Sequence, residues 1–285
     1  MANPGSRRGE RLLAPAQRAF RAAGVAVDVL LTERPGHGAE AARSGIDRYR
    51  SVFTLGGDGT AMEVIEALSG TQCPVGILPG GTGNLLAFAL GIPLDVSRAV
   101  RVLLKGSTRR MDLGVLANGR HFGVTAGVGI DAEMIASTPL ELRRKYGVLA
   151  YFGTATGALT RMQTFSVRAT VDGKVIERDG AAIAMIVNEG SILGGLFQLG
   201  PGISSDDGLL DLCVYAAGGL VSGALVAARL AFRDFSSARH MTFARGERIT
   251  LETIPSLRAQ ADGEMIGVTP LVTKAAPHAA LLLVP

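Results

Sequence analysis

The chain has no tryptophan, only two cysteines and only four histidines. Two thiols, Cys73 and Cys213, make no disulfide framework, and no Cys/His cluster has zinc spacing. The four His stand far apart in the sequence, which argues against a His-based catalyst. Aromatic residues are scarce at 5% and charged residues reach 19%, whereas 47% of the chain is hydrophobic. That balance builds a folded core and excludes a disordered chain. Long apolar runs are missing as well. The longest, Ala216 to Phe232, contains Arg229 and three Gly, and it falls short of the ~20 residues of a membrane-spanning helix. Arg7, Arg8 and Arg11 interrupt any signal-peptide core near the start. These absences predict a cytoplasmic protein, compatible with peripheral contact at the inner face of a membrane. Three common site signatures are also lacking: G-x-x-x-x-G-K-[ST], a helix-opening G-x-G-x-x-G, and G-x-S-x-G.

What is abundant is glycine. Its 38 residues in 285 are nearly twice the ~7% of average usage. They follow no G-X-Y period, so collagen is excluded. Glycine is placed where backbone must come close to something. The length suits two modest domains or one large one. The net charge of +4 lies wholly in residues 1–50, which hold nine Arg against five acids. Such a bias is weak evidence for an anionic partner, and an ordinary solvated face explains it better.

Along the chain, Leu12, Leu13, Ala16, Ala19, Phe20 and Ala23 recur at helical spacing and Gly24 ends the pattern. Val25 to Leu31 is β-rich, and Ala39 to Ser44 can form a short helix. Ser51 to Leu55 reads as a strand that runs into Gly56-Gly57-Asp58-Gly59-Thr60 and a helix from Ala61 to Leu68. Val75 to Leu78 is a second strand, followed by Pro79-Gly80-Gly81-Thr82-Gly83-Asn84 and a helix from Leu85 to Leu90. Strand, glycine turn, helix thus occurs twice, the alternation of a parallel-type sheet covered by helices. Beyond Gly106 strands dominate: Met111–Leu116, His121–Ala126, Phe165–Val171, Lys174–Arg178, Ala181–Val187, Leu209–Val214, Ile249–Thr253 and Ala280–Val284. Asp172-Gly173 is a hairpin signal between two of them. Helical pattern persists near 140–161 and 219–232. The predicted architecture is therefore α/β plus β: an α/β unit over 1–106 and a β-sandwich over 107–285.

Three sets of residues carry chemistry. Gly56 to Thr60 lets backbone N–H groups converge on a phosphate, aided by the helix that follows. Asp58 there either orders the loop or meets a Mg²⁺ that bridges phosphates. Pro79 to Asn84 repeats the arrangement, with a Thr82 hydroxyl for phosphate and Asn84 to cap or anchor. Turns at neighbouring strand ends face one crevice in open α/β sheets. The third set is acidic. Ser205-Asp206-Asp207-Gly208-Leu209-Leu210-Asp211 is either an ordinary turn or a hard-cation site built on Asp207 and nearby carbonyls. Asp262-Gly263-Glu264 is a turn by spacing alone, yet it can supply a general base and a positioning carboxylate.

In this order the motifs resemble those of the diacylglycerol kinase catalytic-domain family, in particular bacterial lipid kinases related to sphingosine kinases. Asn3-Pro4-Gly5-Ser6 is similar to its N-P-x-S-G opening, with Arg7 where Gly is usual. Thr32 with Gly38-Ala39, Gly56 to Thr60, and Leu78 to Asn84 follow. Then come Gly127-Val128-Gly129-Ile130-Asp131-Ala132, Asn188, Gly194-Gly195, Pro201, Asp207 to Asp211, and Asp262 to Glu264. Only Met1 and Ala2 precede Asn3, so the first strand of the sheet is expected to be missing or vestigial.

The resemblance implies a nucleotide-binding α/β domain, a β-sandwich domain and an active site in the cleft between them. It implies ATP on Asn3, Pro4, Gly5, Ser6, Arg7, Thr32, Gly56, Gly57, Asp58, Gly59, Thr60, Ala61, Met62, Gly81, Thr82, Gly83 and Asn84. It implies Mg²⁺ on Asp207 and the carbonyls of Ser204 and Leu209. Glu264 or Asp262 would be the base that takes the proton of a lipid hydroxyl. The expected partner is a lipid presented at a membrane surface and no nucleic acid, with room for a homodimer. Two other readings compete: an NAD kinase, which shares G-G-D-G and offers Asn188-Glu189, and a non-catalytic nucleotide- or lipid-binding regulator.

Overall fold

The computed structural model describes residues 1–6, 9–129, 164–192 and 195–285. Arg7, Gly194, the Ile130-Asp131-Ala132 end of the mid-chain motif and the helical pattern near 140–161 lie outside these residues. Contacts divide the chain into two units, 1–111 with 278–285, and 112–277.

The first unit begins with α1 (Gly9–Ala22), α2 (His37–Gly45), β1 (Val52–Gly56), α3 (Asp58–Ala67), β2 (Val75–Pro79), α4 (Leu85–Ala89) and α5 (Val96–Lys105). β1 and β2 pair in parallel from Val52↔Val75 to Gly56↔Pro79. They read as near-continuous apolar runs because both faces are covered. Near the start of the chain Ala2 forms isolated β-bridges and belongs to no strand. Ala2 bridges Leu55 on one side and Leu31 on the other, both in parallel. Its N–H donates to Leu30 O at 2.8 Å and its carbonyl accepts from Thr32 at 2.9 Å. The Met1 ammonium donates to Phe53 O at 2.7 Å, and burial lowers its pKa to about 6. Beyond it a cavity of about 380 Å³ opens among Phe20, Val25, Val27, Val29, Phe53 and their neighbours. The β-rich stretch 25–31 is consequently extended but ladder-free except at Leu31, with Val25, Val27, Val29 and Leu31 exposed. α5, which the sequence reading did not single out, buries Val96, Ala99, Val100 and Leu103, and the side chain of Asp95 accepts from Arg98 N at its N-cap.

β3 (Ser107–Leu116) leads into the second unit, which contains β4 (His121–Phe122), β5 (Thr125–Gly129), β6 (Phe165–Val171), β7 (Lys174–Val187), β8 (Ser191–Ile192), β9 (Phe197–Gln198) and β10 (Leu210–Ala216). α6 (Leu220–Phe232), β11 (Met241–Gly246), β12 (Arg248–Ile254), β13 (Arg258–Ala261), β14 (Glu264–Val268) and β15 (Leu271–Val284) complete the chain. The two strands expected at 174–178 and 181–187 are one, β7, which changes partners along its length. Its first half pairs with β6 and its second half lies between β5 and β10, all antiparallel. Ala184 and Ile186, with Leu210, Leu212 and Val214, enter the main sandwich core. Met185, Val187, Cys213 and Tyr215 alternate with them and enter a second core that receives Val226 and Leu230 of α6. Burial on both faces explains the unbroken apolar runs there. An N-terminal α/β unit followed by a C-terminal β-sandwich is the predicted fold class. The division differs from the one placed near Gly106: the last strand returns to the first unit, where Leu282 pairs with Val75. A pairing of residues some 200 positions apart has no local signal.

Candidate active site

In the first unit the glycine turns meet at the carboxyl ends of β1 and β2. Gly80 N donates to Gly56 O at 2.7 Å. A Cβ on Gly81 would stand 2.3 Å from Gly57 Cα, and one on Gly56 would stand 2.7 Å from Thr60. The glycines therefore let two backbone turns pack on each other, beyond any approach of a ligand. Asn84, at φ 49°, closes the second turn: its Oδ1 accepts from Gly81 N at 2.9 Å and its Nδ2 donates to Gly81 O at 3.2 Å. The Asp58 side chain reaches the start of α4. Its Oδ1 accepts from Leu86 N at 3.1 Å. Burial pushes its carboxyl above the usual range, against the opposing pull of backbone N–H groups of Leu86, Leu85 and Asn84. Of the two roles read for Asp58, loop ordering is the one its contacts describe.

The other nucleotide candidates gather at the same edge. Asn3 Nδ2 donates to Thr60 Oγ1 at 3.1 Å and Asn3 Oδ1 accepts from Gly5 N at 2.9 Å. Ser6 N donates to Asn3 O. Thr32 sits beside Ala2, and a Cβ on Gly38 would lie 3.6 Å from its methyl. Ala61 and Met62 are buried in α3. Gly59 is exposed, while Thr82 and Gly83 are half-buried.

In the second unit one short backbone segment joins three of the sequence motifs. Asn188 N and Glu189 N donate to Val124 O at 2.8 and 3.2 Å. Asp262 accepts from Gly123, Val124 and Thr125 N–H at 2.6, 2.9 and 3.0 Å. The buried Asn188 side chain donates to both Asp112 O and Gly123 O at 2.8 Å. Asp112 in turn accepts from Gly208 N at 2.6 Å, and Ser205 Oγ donates to Glu189 at 2.9 Å. Residues 112, 123–125, 188–189, 205, 208 and 262 thus form one polar network.

Asp262-Gly263, with φ 46° and 85°, repeats the backbone of Asp172-Gly173, with φ 46° and 84°. Both are two-residue hairpin turns, between β13 and β14 and between β6 and β7. In both, the Asp carboxylate fastens the hairpin tip to neighbouring backbone: Asp172 accepts from Glu247 N and Arg248 N at 2.9 and 2.8 Å. What sets the second turn apart is Glu264. It is exposed and pairs with Arg120 at 2.9 Å.

The acidic turn is compensated by Arg245. Its guanidinium grips Asp211 at 2.9 and 3.2 Å and stands 3.5 Å from Asp207 Oδ2. Burial raises the Asp211 pKa, and Arg245 opposes that rise. Asp207 Oδ1 accepts from the neighbouring Leu209 N at 3.1 Å. Ser204 Oγ donates to Asp206. A carboxylate with the carbonyls of Ser204 and Leu209 is an all-oxygen set, the chemistry a hard divalent cation needs, and Mg²⁺ commonly keeps several waters beside one or two carboxylates. The residues therefore fit the ion. Among the described residues no group of three or more His, Cys, Asp or Glu side chains comes together.

Asp112, Arg120 and Arg245 were missed from sequence, and Glu189 was read there only as part of the Asn188-Glu189 pair of the competing NAD-kinase reading. Asp112 had a signal, a lone carboxylate within the apolar run Met111 to Leu116. Arg245 had none, since it lies 34 residues from Asp211.

Residues 1–116 match the family model of the diacylglycerol kinase catalytic domain, and residues 123–284 match that of the YegS C-terminal NAD kinase β-sandwich-like domain. An uncharacterised Synechocystis protein is 30% identical over 239 residues, 82% of this chain; the chain spans about half (54%) of that protein's length. The diacylglycerol kinase of Bacillus subtilis is 28% identical over 262 residues, covering 90% of this chain and 86% of that one. A crystal structure of a candidate diacylglycerol kinase from Bacillus anthracis aligns with TM-score 0.79 at 25% identity, over 99% of this chain and 93% of that one. With both family models matched in order along nearly the whole chain, the protein belongs to the diacylglycerol kinase catalytic-domain family.

Proposed function

We propose that the chain is a kinase that transfers the γ-phosphate of ATP to the hydroxyl of a lipid, diacylglycerol-like, phosphatidylglycerol or sphingoid. The observation that carries the reading is the back-to-back packing of the Gly56–Thr60 and Gly80–Asn84 turns at adjacent parallel strand ends. Backbone N–H groups and the Thr60 and Thr82 hydroxyls bind the triphosphate there. Asn3 fixes the Thr60 hydroxyl, and Asp58 holds the second turn in place.

In the second unit Glu264 is the base. The Asp262 carboxylate is committed to three backbone N–H groups, so it acts as a positioning residue. Glu264 takes the hydroxyl proton, the acceptor oxygen bonds to the γ-phosphorus, and the bond to the β-phosphate oxygen breaks to release ADP. Arg120 holds the Glu264 carboxylate in one orientation. Asp207 and the Ser204 and Leu209 carbonyls would hold Mg²⁺, which offsets phosphate charge when bound. Positioning and electrostatics supply most of the rate in such transfers.

The test is purified protein with radiolabelled Mg-ATP and mixed micelles of each lipid, with NAD as a water-soluble competitor. Label in at least one lipid, lost in Glu264→Gln, supports the reading. Label in NAD alone, or ATP binding without transfer to any lipid, overturns it.

A further inference from the structure

We infer that the outer face of α6 docks on an anionic lipid bilayer, lying in the interface plane. This rests on the lipid-kinase reading for its purpose but on different residues for its evidence.

α6 is apolar on two sides. Val226 and Leu230 face inward, into the core beneath β7 and β10. Val221, Ala224, Leu225, Ala228 and Phe232 are all exposed. At 100° per residue they fall within an arc of roughly 100° on the opposite side. Two of them are almost fully in water: Val221 is 86% exposed and Phe232 85%. Leu196, next in sequence to the β9 strand on which α6 packs, is 60% exposed as well. A soluble helix normally turns charged residues outward; here the outward arc carries none. Contiguous exposed apolar surface of this kind marks an interaction site.

The surrounding charge selects the occupant. Between Asp211 and Asp234 the sequence has no acidic residue. Asp234, the one acid at the helix end, is taken by Arg229 at 2.6 Å. Arg233 follows Phe232 directly and is exposed, as is Arg239. An apolar stripe with cations at one end fits acyl chains below and lipid phosphates beside them, and Arg stems tolerate that boundary. At 13 residues α6 is ~20 Å long, and no described helix is long and apolar enough to cross a membrane. Lying flat is the geometry that remains for this helix.

The experiment is vesicle flotation without ATP or substrate, using phosphatidylcholine vesicles with and without phosphatidylglycerol. Wild-type protein is expected to float with the anionic vesicles and to release as salt is raised. Val221→Ser/Phe232→Ser is expected to lose about tenfold in partitioning, and Arg233→Glu/Arg239→Glu to lose the anionic preference. All four side chains are exposed, so melting temperatures stay within about 2 °C of wild type. Unchanged flotation of the Val221→Ser/Phe232→Ser variant overturns the proposal. So does a wild type that ignores vesicles, whether it dimerises through this face or not. Failure here is separable from failure of the kinase reading. A variant that no longer floats yet phosphorylates short-chain, water-soluble diacylglycerol bears on docking alone. Flotation with no phosphorylation of any lipid leaves docking intact and sinks the kinase.

Discussion

Asp262 and Glu264 lie two residues apart, and the structure gives them opposite work that substitution separates. Asp262 accepts three backbone N–H bonds, at 2.6, 2.9 and 3.0 Å. Hydrogen bonds to a charged group contribute ~1.5–3 kcal/mol each and are not additive, so Asp262→Ala should cost about 4 kcal/mol. In Asp262→Asn the Oδ1 position can still accept from Val124 and Thr125. The amide NH₂ would meet the Gly123 N–H, donor against donor, for a loss of about 2 kcal/mol. For a unit of this size each 1 kcal/mol moves the melting temperature by ~2–4 °C. Differential scanning calorimetry should therefore show a drop of about 4–8 °C for Asp262→Asn and roughly twice that for Asp262→Ala. Glu264 is the reverse case. Its ion pair with Arg120 is exposed at both ends and contributes ~1 kcal/mol or less. Glu264→Gln should melt within about 2 °C of wild type while its turnover in the lipid phosphorylation assay falls by about 10²–10⁴-fold, the usual range for a general base. The opposite pattern would refute the assignment: Asp262→Asn inactive at unchanged stability, with Glu264→Gln active.

Three further outcomes follow from the geometry. Gly81→Ala places a Cβ 2.3 Å from Gly57 Cα; it should cost about 1–3 kcal/mol as overpacking and abolish ATP binding measured by calorimetry, whereas Gly70→Ala, with nothing within 4 Å but φ +75°, should lower stability without changing ATP affinity. Asp172 is held below the usual carboxylate range by the N–H groups of Arg248 and Glu247. Its stabilising contribution is full above the unfolded pKa and lost as pH falls through the lower folded value, so carboxyl NMR should give a midpoint below 3.8; a midpoint at or above it contradicts the bonding. Arg245→Ala leaves Asp211, only 7% exposed, without its cation. Breaking such a pair costs ~3–5 kcal/mol when buried, and about 2–3 kcal/mol is expected for a one-third-exposed Arg. Urea unfolding should show that loss, and Arg245→Lys should recover part of it.

Much of the fold could be read locally because its signals are local. β6 was bounded at Phe165 and Val171 by its period of two and by Asp172-Gly173 after it, and the structure has the same limits. The parallel strands and their glycine turns at 56–60 and 80–84 were equally plain. β13 and β14 escaped notice because Arg258 to Val268 alternates weakly and β14 is exposed along much of its length. The two predicted strands, Lys174–Arg178 and Ala181–Val187, left out Asp179-Gly180; the strand continues through them with Gly180 at φ 69°, where pairing with β6 shifts register.

The sequence alone carried the α/β-then-β order, the two phosphate-type turns and the ordered motif series that places the chain in its family. These depend on residue type and short spacing. It could not say that Asp58 would reach forward to Leu86, that Asp262 would grip residues 123–125, or that Arg245 would neutralise Asp211. Each of those bonds joins residues 28 to 139 positions apart. Propensity and periodicity are blind at that range, because a carboxylate in a turn looks the same whether its partner is a ligand, a metal or another stretch of backbone. The same holds for α6. Its apolar composition was visible from the start, but only packing distinguished Val226 and Leu230, which the core accepts, from Val221 and Phe232, which it leaves in water.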